Sequence, residues 1–96
     1  MINGNVNEFV DGLYYGDERW FMFHGVKYFI QGWVKNEEFT LELEQMEPEP
    51  KQNSPLWTKT CSYDRKQEIV KDFLSAPIWG GKTFWQAEQE MEWVDD

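Results

Sequence analysis

Cysteine is nearly absent from this chain, with Cys61 alone among 96 residues, so no intramolecular disulfide can staple it. Small secreted domains generally depend on several such bridges, and the single thiol reads as a protein of a reducing, cytoplasmic compartment. Histidine is limited to His24 and arginine to Arg19 and Arg65. Structural zinc takes four Cys or His ligands, usually in close pairs, which this inventory does not supply, and the calcium-loop spacing of acids and glycine is missing as well. No metal and no cofactor are expected. Long hydrophobic runs are also lacking: nothing approaches the roughly 18 apolar residues of a membrane-crossing helix, and Met1 to Asn7 carries no basic segment followed by an apolar one.

Nucleophilic catalysis needs a Ser, Cys or Thr activated by a base that a third group orients. His24 falls in a turn and Cys61 near the end of a candidate strand, with nothing in their spacing to pair them. Gly80-Gly81-Lys82-Thr83 has the ending of a phosphate-binding loop, but the first glycine of that motif would fall on Ala76 and no apolar strand precedes it. The structural reading is that two glycines relax the backbone and Thr83 caps the next helix. A carboxylate pair could perform acid–base chemistry, but a chain this short has little room for both the pair and a substrate cleft. The expectation is a protein that is not an enzyme.

What the chain does have is acid and aromatic surface. Eighteen Asp and Glu against nine Lys and Arg give a formal charge of −9. Long-range electrostatics then oppose DNA, RNA and anionic membranes and favour a basic partner, although acids also serve solubility. The acids are clustered: Glu37, Glu38, Glu42, Glu44, Glu47 and Glu49 lie between Lys35 and Lys51 with no base among them, and Glu88, Glu90, Glu92, Asp95 and Asp96 form a second run. Seven Phe, six Trp and four Tyr supply a large apolar payload for one core, and the length fits a single domain over residues 1–96.

Along the chain, Asn7 is a cap for a helix to Tyr15, with Phe9, Val10, Leu13 and Tyr14 on one side and Gly16 as its stop. Arg19 to Phe23 and Val26 to Val34 read as a hairpin around His24-Gly25. After a polar turn, Phe39, Leu41 and Leu43 alternate with Thr40, Glu42 and Glu44, the period of a half-buried strand. Residues 47–55 hold three prolines and form a loop, and Leu56 to Ser62 is a candidate fourth strand. Asp64 to Ser75 is an amphipathic helix that Pro77 stops. Thr83 and Gln86 make a capping box for a last helix to Val94. The fold class is α+β: an antiparallel three- to four-stranded meander with helices packed on one face, in the order α-β-β-β-(β)-α-α. Its expected buried set is Phe9, Leu13, Tyr28, Ile30, Phe39, Leu41, Leu43, Ile69, Phe73, Phe84 and Met91.

Tyr15-Gly16-Asp17-Glu18, Lys27 to Trp33 (KYFIQGW) and Ala76 to Phe84 (APIWGGKTF) resemble stretches in small uncharacterised proteins of Gram-positive bacteria and their phages or mobile elements. The resemblance implies an origin and attaches no activity, ligand or site residue. In that setting an anti-defence inhibitor, of the anti-CRISPR kind, is a specific form of the reading.

The functional expectation is a non-enzymatic acidic interaction protein that binds a basic protein surface, in the extreme by mimicking nucleic-acid phosphates. It has no direct nucleic-acid or membrane partner, and the oligomeric state is open. On a helix reaching Val94, Trp85, Glu88 and Glu92 share a stripe, with Asp95 at its margin, while Trp93 points away from the core. Trp beside carboxylates suits Lys or Arg recognition, so the partner-binding candidates are Trp85, Glu88 and Glu92, followed by Glu42, Glu44, Glu47 and Glu49. Two rival readings are a small-molecule binder with an aromatic pocket and an oligomeric accessory subunit.

Overall fold

The computed structural model describes residues 1–50 and 54–94. In chain order it contains α1 (Val6–Leu13), β1 (Arg19–Phe23), β2 (Val26–Lys35), β3 (Glu38–Glu47), β4 (Trp57–Ser62), α2 (Lys66–Ser75), α3 (Phe84–Ala87) and β5 (Met91–Val94), with 3-10 turns at Tyr63–Arg65 and Glu88–Glu90. The strands form one sheet in the order β4-β3-β2-β1-β5, antiparallel throughout. The fold is α+β, as the residue pattern implies, with one strand more than the meander alone provides.

Two tight turns set the register of the meander. Phe23 pairs with Val26 and Lys35 with Glu38, so each loop has two residues, and His24, Gly25, Asn36 and Glu37 all have positive φ. That backbone matches the twist of the flanking strands. From there the alternation on β3 holds: Phe39, Leu41 and Leu43 are buried and Thr40, Glu42 and Glu44 are half-exposed. The candidate fourth strand forms as β4, with Trp57 opposite Leu43 and Cys61 opposite Phe39. Its pattern is faint because Lys59, on the same parity as Trp57 and Cys61, pairs with Asp72 of α2 instead of contributing apolar surface.

The helices cover one face of this sheet. Phe9 and Leu13 of α1, Ile69, Val70, Phe73 and Leu74 of α2, and Phe84 and Ala87 of α3 join Phe21, Phe23, Ile30, Phe39, Leu41, Leu43, Trp79 and Met91 in a single buried cluster. Phe9 stacks on Phe84 at 5.6 Å and meets Phe21 edge-on at 5.4 Å. Of the residues expected to be buried, Tyr28 alone is only half-buried, packed against the margin of the cluster. Gly16 and Gly32 allow the chain leaving α1 to lie on β2. Gly16 has φ +70°, a Cβ on it would sit 2.6 Å from the Gly32 carbonyl oxygen, and a Cβ on Gly32 would sit 2.9 Å from the Gly16 Cα.

Both ends of the chain differ from the sequence expectation. The cap of α1 is Asn5, whose side chain accepts from the Asn7 and Glu8 amides. Starting at Val6 adds that residue to the Phe9, Val10, Leu13 side, and the helix ends at Leu13 rather than Tyr15. The last helix does not reach Val94. Its capping box forms, with Thr83 and Gln86 bonding reciprocally, but α3 is one turn long and Met91–Val94 is a strand on β1. Met91-Glu92-Trp93-Val94 also reads with period 2, and pairing satisfies the backbone groups of β1 that would otherwise stand at an edge. Tertiary pairing outweighs helix propensity over so few residues. Beyond β5, Ile2 makes a parallel bridge, with its amide on the Met91 carbonyl and its carbonyl on the Trp93 amide, each at 2.8 Å.

Candidate functional site

The strand at Met91–Val94 dissolves the stripe expected on a final helix. Trp85 sits on α3, 51% exposed, over an open cleft of about 520 Å³ lined also by Tyr14, Gln67, Lys71, Leu74 and Ser75. Glu88 lies in the following 3-10 turn and accepts from the Met1 amine at 2.7 Å. Glu92 is on β5 and accepts from Asn3 Nδ2 at 2.8 Å. Trp93 points toward the core, not away from it. Its ring meets Phe9 edge-on at 5.7 Å, the Arg19 guanidinium lies 5.4 Å above it, and Gly4 leaves room for it. Asp95 lies outside the described residues, as do residues 51–53 of the proline-rich segment. Glu47 closes β3 and Glu49 is exposed beyond it.

The sheet gathers the remaining candidates differently. On the face opposite the helices, five cross-strand rungs are set by register: Glu44–Phe29–Trp20–Val94, Glu47–Lys27–Met22–Glu92, Thr58–Glu42–Gln31, Thr60–Thr40–Trp33 and Ser62–Glu38–Lys35. No helix among the described residues packs here, since the buried helix side chains all belong to the cluster on the other face. The Phe29 ring is nevertheless only 8% exposed, because Trp20 lies against it at 4.8 Å. Trp33, at the end of the sheet, is 41% exposed and forms no ring pair among the described residues. Thr40 and Thr60 share a hydroxyl bond of 2.7 Å beside it.

The electrostatics of this face come from its carboxyl groups together with Lys27 and Lys35, which stand on β2 opposite Glu47 and Glu38. Partial burial, and then the neighbouring Glu44 carboxylate, push the Glu42 carboxyl above its ordinary value, with a hydrogen bond from Gln31 partly offsetting them. Glu42 and Glu44 stand two residues apart on one strand and so on one side of the sheet. With Glu47 and Glu92 they border Phe29, Trp20, Met22 and Lys27, so that carboxylates outnumber the cation at this end of the face.

His24 and Cys61 are not brought together. His24 Nε2 lies 2.9 Å from Glu90 Oε1, and the His24 hydrogen bond leads the causes that hold the Glu90 carboxyl below its ordinary value. Cys61 is on β4, across the sheet from that turn. Its thiol donates to the Ser62 carbonyl at 3.2 Å, and burial leads the causes that push it upward, away from a reactive thiolate. Gly80 and Gly81, both at positive φ, close a turn in which Trp79 and Lys82 exchange backbone bonds of 3.2 Å. Among the described residues, no three His, Cys, Asp or Glu side chains are placed to hold a metal ion.

Sequence reasoning found Glu42, Glu44, Glu47 and Glu92 but not Trp20, Phe29 and Trp33. Strand β2 carries large apolar residues on both parities, Tyr28, Ile30 and Val34 on one and Phe29 and Trp33 on the other, so its own alternation does not say which side is inward. The signal lay in β3, whose unambiguous polar side fixes the orientation of β2 once the two-residue turn is assigned. No protein-family model, no curated protein and no solved structure matches this chain.

Proposed function

We propose that this protein is a non-enzymatic binding module whose helix-free sheet face docks on a basic protein surface. The observation that carries the reading is the composition of that face, in which Trp20, Phe29 and Trp33 lie among Glu38, Glu42, Glu44, Glu47 and Glu92, an excess of carboxylates over Lys27 and Lys35. Aromatic rings supply contact area at low entropic cost, and carboxylates around them favour Lys and Arg. The formal charge of −9 adds long-range attraction for the same class of partner. An anti-defence inhibitor that occupies a nucleic-acid site would be one member of this class, recognised by competition with DNA or RNA for the partner. The cleft beside Trp85 supports a small-molecule binder less well, because it is open to solvent, whereas small-molecule sites enclose most of their ligand.

The test is a titration of the isotope-labelled protein with a short lysine- and arginine-containing peptide at low and high salt, followed by NMR. Shifts concentrated on Trp33, Gln31, Glu42, Glu44 and Trp20, and weakened by salt, support the reading. Shifts concentrated around Trp85 and Glu88, shifts spread over every acidic residue, or no binding would overturn it.

A further inference from the structure

Resting on that reading, we propose that the open face selects arginine over lysine, with Trp33 as the platform for the guanidinium and Glu42 as its carboxylate partner. Trp33 stands opposite Thr40, and Glu42 is the next residue on that side of β3. They are therefore diagonal neighbours, at the roughly 7–8 Å spacing that long side chains bridge. A guanidinium lying flat on the exposed indole would still present N–H groups edgewise to the Glu42 carboxylate. Lysine offers a point charge, which cannot stack and form a planar fork at once.

The same arrangement already exists elsewhere in the molecule. Arg19 lies 5.4 Å over the Trp93 ring while its guanidinium bonds Asp17 Oδ2 at 3.1 Å. Trp93 has its arginine; Trp33, with Glu42 diagonal to it on the adjacent strand, has no cation over its ring among the described residues, Lys35 being the next residue on its side of β2. Of the two arginines in the chain, the other, Arg65, is engaged with Glu68 at 2.6 Å. The vacant platform is thus complementary to an arginine supplied by the partner. Glu42, partly desolvated and repelled by Glu44, gains a countercharge when it arrives.

The experiment compares two short peptides identical except that every Arg in one is Lys in the other, titrated by calorimetry and NMR against the wild type, Trp33→Leu, Trp33→Phe, and the double variant Glu42→Gln with Glu44→Gln. The expected result is arginine binding about two- to fivefold tighter than lysine, the range of an exposed cation–π contact. Trp33→Leu should abolish that preference and Trp33→Phe should retain part of it. The double variant should weaken both peptides. Thermal melting confirms that each variant is folded. Binding of both peptides on this face without preference, or a preference that survives Trp33→Leu, overturns the arginine inference and leaves the docking face standing. Absence of binding by either peptide overturns the docking face and this inference with it.

Discussion

The two faces of the sheet use the same residue types to opposite ends. On the inner face Phe21, Phe39, Leu41 and Leu43 are essentially inaccessible under three helices. On the outer face Phe29 is shielded mainly by one tryptophan, and Trp33 is left in water. An apolar side chain therefore contributes to stability in proportion to what lies over it, and Trp33, with little over it, keeps contact area open.

The largest difference in stability is expected on β3, where adjacent residues face opposite ways. Leu41→Ala should cost about 2–5 kcal/mol, and Leu41→Asp should abolish the cooperative transition in a urea titration. Glu42→Ala should stay within about 0.5 kcal/mol. Similar losses at both positions would mean the faces are not distinct.

A smaller contrast separates two phenylalanines on neighbouring strands. Phe21→Ala is expected to cost about 3–5 kcal/mol, whereas Phe29→Ala, which uncovers a ring with solvent close by, should cost about 2 kcal/mol. Chemical denaturation of the two variants side by side measures the difference. Next in size, Gly32→Ala should cost roughly 1–3 kcal/mol through overpacking. Its Cβ would meet Gly16 Cα at 2.9 Å and the Thr40 carbonyl oxygen at 3.0 Å. A neutral result in thermal melting would show that the loop after α1 yields easily.

The smallest effect is a pH dependence on the outer face. Burial and Glu44 raise the Glu42 carboxyl in the folded protein, so the folded state holds that proton more tightly than the unfolded chain. The resulting stabilisation is fully present below the unfolded carboxylate value of about 4.3 and is lost as pH rises through the raised folded value. Glu42→Gln removes this titration. Between acid and neutral pH, the variant should therefore gain stability relative to wild type, measured as the pH dependence of the melting temperature. A shift in the other direction would mean that Glu42 is held as a favourable carboxylate.

Much of the inner face was legible in the sequence because each inward residue repeats with the period of its element. Phe39, Leu41 and Leu43 do so with period 2, and Ile69, Val70, Phe73 and Leu74 with that of a helix. The α1 cap was displaced because Asn5 and Asn7 are chemically equivalent caps, and only the packing of Val6 separates them. The fate of Met91–Val94 was hidden because four residues carry no decisive periodicity and their partner, β1, lies far away in sequence. The site shared that difficulty. Glu92 reaches the open face only as a strand residue, and Trp33 is a docking candidate only once β2 is known to present it away from the helices.

That distant pairing also divides the open face in time. Strands β1 to β4 follow one another along the chain, two of the connections being two-residue turns, while β5 joins only when Met91 finds Phe23. Contacts so far apart in sequence carry a larger closure cost and form later in folding. The β1–β5 edge is then the part expected to open first in the native state, with the Trp93 amide exchanging with solvent faster than that of Leu41. Val94 and Glu92 would leave the face in such an opening, while Trp33, Glu42 and Glu44 stay on the meander. A partner anchored at Trp33 would therefore hold on through fluctuations that undo the opposite margin.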